Sequence, residues 1–273
     1  MKRRPARGRW DAFSVISVCA ALLIVAMIGS AVLAILIGGV PFLGAALASA
    51  EIRFALRMSV STATISTLLC MGLSLLAAYA FTRTEMLFRR TAEVILELSM
   101  CLPYIVVGLS LLILFSTGFG KWLKELGFRV VFDRKGIVLA QLFVNLPFTL
   151  HMLRTALLQV DTRLEAIAGM LGASRWKQFL TITLPLCKNA LISAMVLTWS
   201  RGVGEFGATL MLVGVTRMKT ETLPGSIFLN ISAGENGMAM AAATIMLLVS
   251  CTALAVSNGL NRTPRYYRLN EDS

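Results

Sequence analysis

Histidine is almost missing from this sequence: His151 is the only one among 273 residues. That excludes a metal centre built from several imidazoles within one chain. His151 itself reads as a polar residue near the end of an apolar run. Cysteine is sparse too, and Cys19, Cys70, Cys101, Cys187 and Cys251 form no C-x-x-C pair. They read as small buried hydrophobes, not as a disulfide framework. Only 15% of residues are charged, well below the roughly 25% of soluble domains. No Gly-rich loop followed by Lys and Ser or Thr is present, so the chain has no ATP site of that kind. No nucleophile–base pair or metal cluster falls on the apolar runs, which argues against an intramembrane enzyme. The net charge of +12 comes with no aromatic–basic cluster, zinc spacing or RNA-binding signature, so nucleic acid is not the expected partner. There is no internal repeat and no low-complexity linker.

What is present is grease. Hydrophobic residues make up 57% of the chain, gathered in runs at about 13–38, 56–82, 93–116, 136–158, 186–214 and 237–258. Each is long enough to cross about 30 Å of hydrocarbon, and the first exceeds a signal-peptide core. The expected architecture is an all-α membrane protein with six transmembrane helices in one domain, 13–258. A basic tail, 1–12, and a short polar tail, 259–273, flank it. Lys and Arg concentrate in segments 1–10, 83–90, 154–188 and 262–268. The positive-inside rule therefore puts both termini in the cytoplasm of a multi-pass protein of the cell (inner) membrane, among anionic lipids. On the other side, residues 117–135, with Trp122, Leu123, Leu126 and Phe128, suit a short surface helix. Residues 216–236 carry Leu223-Pro224 and a Gly234-Glu235-Asn236 turn. Both outer segments are read as contacts for another protein or as plain connectors.

Between spans four and five lies a polar island, 159–185, in which Thr162 and Glu165 have capping-box spacing. Leu164, Ile167, Ala168 and Leu171 follow at i, i+3, i+4 and i+7, one apolar stripe on a short helix. Gly172 can close that helix in the left-handed region. After Ala173, Ser174 can cap a second helix, with Trp176, Phe179 and Leu180 on one face. Pro185 opens the next span, where no backbone donor is needed. Such an elbow either lies flat in the headgroups or docks on a protein.

Span five carries Arg201 and Glu205, four residues apart near the middle of its run. Charges at that depth cost roughly 2.5–3.5 kcal/mol each on insertion scales. One reading is an i, i+4 pair that fastens the span to a neighbour. The other is a lining for a translocation path or its gate, with Gly202, Gly204 and Gly207 permitting close packing or a bend beside Thr209.

Gly172, nine residues, then Ile182-Thr-Leu184-Pro185 resembles the signature loop of ABC importer permeases. The family's Glu position falls on Ala166, a departure, with its two Ala positions on Ile167 and Ala168, while Glu165 matches the acidic residue that often precedes the motif. Further on, GEFGATLMLVG (204–214) followed by Thr220-Glu221-Thr222-Leu223-Pro224 resembles the molybdate/tungstate type within the sulfate/molybdate permease family. Arg57, Glu97, Pro103 and Asn145-Leu146-Pro147 extend the likeness from about Ala55 to Ser257. Val215 departs, since the family usually has Asn there. The resemblance implies the type I importer permease fold, working as a homodimer with two cytoplasmic ATPase subunits that hold ATP and Mg. An extracytoplasmic protein would deliver the oxyanion, and this chain would need no cofactor of its own and hydrolyse nothing alone. The elbow would be the coupling helix, with the usual acidic contact to the ATPase either absent or made by Glu165. A sulfate or thiosulfate permease is the alternative within the family. A secondary transporter is the rival class, but it usually shows charges on several helices or broken helices in paired halves.

Overall fold

The computed structural model describes residues 11–260, all helices and connecting turns. The basic residues 1–10 and the tail from 261 lie outside the described residues. In chain order the helices are α1 (Ala12–Gly39), α2 (Leu43–Ala48), α3 (Ala50–Arg83), α4 (Arg89–Cys101), α5 (Tyr104–Ser116), α6 (Gly118–Glu125) and α7 (Arg134–Leu158). They continue as α8 (Thr162–Met170), α9 (Arg175–Gln178), α10 (Leu184–Gly204), α11 (Gly207–Val213), α12 (Leu223–Ser232) and α13 (Asn236–Leu260). Among the described residues five helices are long and apolar enough to cross a membrane, and α4 with α5 makes a sixth if the bent pair counts as one.

Spans three and five are not continuous helices, and in span five the break falls among the glycines that permit a bend. The run 93–116 bends by 113° between α4 and α5. Pro103 supplies the cause, because it lacks an N–H and disfavours a helical Leu102 before it. Leu102 is extended, at ψ 134°. The run 186–214 is broken at Glu205, which is extended at ψ 125°, and Phe206. No proline explains this second break; flanking Gly204 and Gly207 allow it.

At its other end span five is longer than expected. Pro185 falls in the first turn of α10, as expected, but α9 runs into that helix through a π turn, Phe179–Thr183. The Leu184 N–H reaches back to the Phe179 carbonyl, five residues away. That widened turn absorbs the clash a proline ring makes with the carbonyl four residues before it.

The core is assembled around the side-by-side pair α3 and α7. Apolar attraction does little between helices surrounded by lipid, so close packing and buried hydrogen bonds must hold them. On α3, Ser59, Ala63, Ser66, Cys70 and Ser74 form a buried stripe of small residues. Ser66 donates to Gln141 Oε1 (3.0 Å), Cys70 to the Leu142 carbonyl (3.6 Å) and Ser74 to the Leu146 carbonyl (3.4 Å). The two helices therefore run parallel. Cys70 and Cys187 are buried as expected, whereas Cys19, Cys101 and Cys251 are exposed on their helices. The segment 117–135 does contain the short helix α6. The segment 216–236 is no plain connector, for α12 buries Leu223, Ser226 and Asn230 against α3 and α13.

Candidate functional site

The elbow is built by local sequence. Asp161, not Thr162, is the N-cap of α8, its Oδ1 accepting the Arg163 N–H at 2.9 Å. Glu165 is thereby released from the expected capping box. At the far end Gly172 sits at φ +87°. Its N–H donates to the Gly169 carbonyl, and the Ala173 N–H donates to the Ala168 carbonyl, both at 2.9 Å. Those two bonds form a Schellman closure, which favours a residue without Cβ at the left-handed position. Ser174 then caps α9, accepting the Lys177 N–H at 3.4 Å.

Glu165 points into the chain, not out to a partner. Its carboxylate takes the Arg83 Nε at 2.9 Å and the Thr183 hydroxyl at 2.7 Å. Arg83 also donates through Nη2 to the Leu157 and Val160 carbonyls. Only 8% and 12% of the two side chains remain exposed, so one ion pair ties the elbow to α3 and α7. The Glu165 carboxylate, expected to face an ATPase, is held by Arg83 in this chain. The apolar stripe splits accordingly. Leu164, Ile167 and Leu171 are exposed, Leu171 at 83%, and Met170 joins them at 80%. Ala168 and Ala173 are half-buried, and Ala166 is exposed. The second helix splits as well: Phe179 turns inward, edge-on to Tyr79 at 5.1 Å, while Trp176 and Leu180 stay exposed. Ile182 and Leu184 are half-buried, and Pro185 is exposed.

The second candidate site lies where the two broken spans meet. Arg201 and Glu205 make no ion pair with each other, because the break at Glu205 takes them off a common helix face. Glu205, 4% exposed, accepts the Ala208 N–H at 2.7 Å and so sits at the N-terminus of α11. A carboxylate is stabilised there by the free N–H groups and the helix dipole. Arg201 reaches other helices. Its Nε donates to Asn145 Oδ1 at 3.3 Å, and its Nη2 donates to the Tyr104 hydroxyl at 2.5 Å. Its guanidinium also lies 4.3 Å from the Phe148 ring centroid, a cation–π distance.

The glycines allow these approaches. A Cβ on Gly207 would stand 3.2 Å from Tyr104 Cβ, and one on Gly202 would stand 3.3 Å from Ala63 Cβ. The Gly202 carbonyl accepts Gln141 Nε2 at 2.9 Å. Gly204 faces Met246 at ordinary contact distance. Thr209 is buried, and its hydroxyl has no hydrogen bond among the described residues; the same holds for Asn145 Nδ2. Arg201 itself is exposed. Its charge is therefore aimed by Tyr104, Asn145 and Phe148, with no carboxylate in ion-pair contact among the described residues. Sequence reasoning singled out Arg201 and the glycines but not Tyr104, Phe148 and Gln141, which pack or bond with them. The one available signal was Pro103 next to Tyr104.

Comparison with known proteins agrees with this architecture. The model of the family described as binding-protein-dependent transport system inner membrane component matches residues 71–262. A molybdenum transport system permease protein of Mycobacterium bovis is 35% identical over 212 residues, 77% of this chain and 79% of that protein. A probable sulfate transport system permease protein of Nephroselmis olivacea is 32% identical over 212 residues, 77% of this chain and 75% of that protein. A solved bacterial alginate ABC transporter, in complex with an alginate pentasaccharide-bound periplasmic protein, superposes with a TM-score of 0.73. It covers 93% of this chain and 96% of that chain at 18% identity, a likeness of fold alone. With the matched stretch taking in both breaks and the whole elbow, this chain belongs to the binding-protein-dependent permeases, the membrane components of ABC importers.

Proposed function

We propose that the chain pairs with a second copy of itself and with two cytoplasmic ATPase subunits to import molybdate- or tungstate-type oxyanions. An extracytoplasmic binding protein supplies the anion, and ATP and Mg stay on the ATPases. Both termini lie in the cytoplasm, with residues 159–185 as the coupling loop. The observation that carries this reading is the elbow, with its locally capped geometry and an uncovered face of Leu164, Ile167, Met170 and Leu171. A face that apolar, beside a rigid ion-paired anchor, suits the groove of a protein partner.

The geometry offers a mechanical route. Closure of the ATPases would displace the elbow, which is continuous with α10 through the π turn and pinned to α3 through Arg83–Glu165. Rocking of α10 would carry Arg201 at its far end relative to Tyr104 on α5. Two packed arrangements of such rods provide the bistable change that coupling needs. Arg201 favours a tetrahedral dianion because a guanidinium presents paired donors to oxyanions. Gly202, Gly204, Glu205, Gly207 and Thr209 would form the path or gate around it.

Sulfate or thiosulfate is the second reading, favoured by the 32% identity to a sulfate permease. The deciding experiment measures ATP hydrolysis by the chain reconstituted with its candidate ATPase and binding protein, with molybdate, tungstate, sulfate or no anion. Stimulation by molybdate and tungstate alone is expected. Stimulation by sulfate instead moves the substrate to the sister group, and failure of the ATPase to co-purify overturns the coupling loop.

A further inference from the structure

At the opposite end of the α3–α7 pair from the elbow lies a cleft of about 480 Å³. Its wall carries Arg57 of α3 and Arg134 and Lys135 of α7, with Phe54, Met58 and Thr62 among the remaining lining and no acidic side chain. Among the described residues none of the three cations has an ion-pair partner, and Arg57 has no side-chain hydrogen bond either. Arg134 spends only Nε, on the Lys219 carbonyl at 3.2 Å, and its guanidinium stands 5.3 Å from the Phe54 ring centroid. Both of its Nη groups stay open. Lys135 Nζ donates to the Gly127 carbonyl at 3.2 Å and lies 4.8 Å from the Phe128 ring centroid. The adjacent acid, Asp133, turns its carboxylate to the Lys135 N–H as the cap of α7. Glu51 is taken by Arg217. Arg57, Arg134 and Lys135 are exposed at the cleft, and three cations on one wall of a cleft raise its positive potential toward an anion.

We infer that this cleft, walled by Arg57, Arg134 and Lys135, is a binding site for a tetrahedral oxoanion group. Two guanidiniums can each offer paired donors to such a group, and the lysine adds a point charge. The apolar remainder of the wall suits an acyl chain, and the Thr62 hydroxyl, which accepts Gln141 Nε2 at 3.3 Å, joins the cleft to the Gly202 carbonyl that the same amide reaches. The group is therefore either a free oxyanion or the phosphate of an anionic phospholipid. Neither case rests on Arg201 or on which anion is imported.

The test uses the full chain in phosphatidylcholine nanodiscs. Equilibrium dialysis with labelled molybdate and sulfate reads free-anion binding, and native mass spectrometry after adding phosphatidylglycerol reads retained lipid. The variants are Arg57→Gln with Arg134→Gln, the charge-preserving Arg57→Lys with Arg134→Lys, Arg53→Gln as an exposed basic control, and Arg201→Gln. Wild type is expected to hold one of the two probes, weakened about tenfold for each guanidinium lost, the scale of a charge-assisted hydrogen bond. The Lys pair should restore part of the binding and Arg53→Gln should leave it intact, while Arg201→Gln removes only anion held at the crossing of the broken spans, so the share lost with Arg57 and Arg134 should persist in it. Retention of the dialysed anion assigns the site to a free oxyanion, and retention of phosphatidylglycerol alone assigns it to lipid phosphate. Binding unaffected by the Arg57 and Arg134 changes, or lost only in Arg201→Gln, overturns the site.

Discussion

The elbow and the crossing of the broken spans solve opposite problems. At the elbow, residues 161–174 make their own caps and turn, and the large apolar side chains are left outside. At the crossing, Arg201 finds its partners 56 and 97 residues away in sequence, and polar groups are drawn inward. A surface that makes its own caps can be rigid by itself while its apolar face remains uncovered. A charge set deep in a membrane fold cannot; other helices must aim it. Changes at the elbow should therefore alter coupling to the ATPase, and changes at the crossing should alter handling of the anion.

The largest effect is expected where the elbow meets the spans. Arg83→Met removes the partner of Glu165 and leaves the Leu157 and Val160 carbonyls without their donor. Removing one member of a buried ion pair costs about 3–5 kcal/mol. The purified variant should melt at a clearly lower temperature and lose anion-stimulated ATP hydrolysis. An unchanged melting temperature would mean that the elbow is held by something other than this pair.

Gly172→Pro comes next and separates coupling from folding. Proline fixes φ near −65° and has no N–H, whereas this position needs φ +87° and donates to the Gly169 carbonyl. The substitution strains one exposed turn, so membrane insertion should persist. Stimulated ATP hydrolysis should fall more than tenfold, the scale of a strained backbone position of 1–3 kcal/mol. Leu171→Asp should do the same by charging the uncovered face. Full activity in both variants would remove the elbow from the coupling path.

The same contrast explains what the sequence revealed. Gly172, Ser174 and the stripe were legible because caps and turns depend on neighbours a few residues apart. Asp161 takes the cap in place of Thr162, and Glu165 pairs with Arg83, 82 residues away, which no local pattern announces. The bend of span three is written in Pro103, but a proline alone does not say that the run turns by 113°. The break after Gly204 carried no proline, and the i, i+4 spacing of Arg201 and Glu205 invited a pairing that an unbroken helix would have made. The stripe of Ser59, Ala63, Ser66, Cys70 and Ser74 was also present at helical spacing. Its polar members hid it from a search for apolar faces, although small residues are what close membrane helices require.

At the crossing, Arg201→Gln keeps the length of the side chain nearly intact and removes its charge. Co-purification with the ATPase should stay unchanged, because the elbow is untouched. Anion uptake should fall about tenfold or more, in line with loss of charge-assisted hydrogen bonds to a bound oxyanion. Loss of assembly without a change in uptake per assembled complex would return Arg201 to a packing role.

The smallest effect, and the sharpest for the comparison, belongs to Tyr104→Phe. The ring that packs beside Gly207 is kept, so the two breaks still meet. Only the hydroxyl that accepts Arg201 Nη2 is lost. Arg201 retains Asn145 and the Phe148 face, so its position should loosen without being abandoned. A single exposed hydrogen bond of this kind contributes about 0.5–1.5 kcal/mol, which corresponds to roughly a two- to tenfold rise in the KM for the anion. The maximal rate and the basal ATP hydrolysis should stay near wild type. A double variant, Tyr104→Phe with Arg201→Gln, should be no worse than Arg201→Gln alone, because the hydroxyl acts through the guanidinium. If the two losses add, Tyr104 does not act by aiming Arg201, and its place at the bend of span three must serve the anion or the helix break directly.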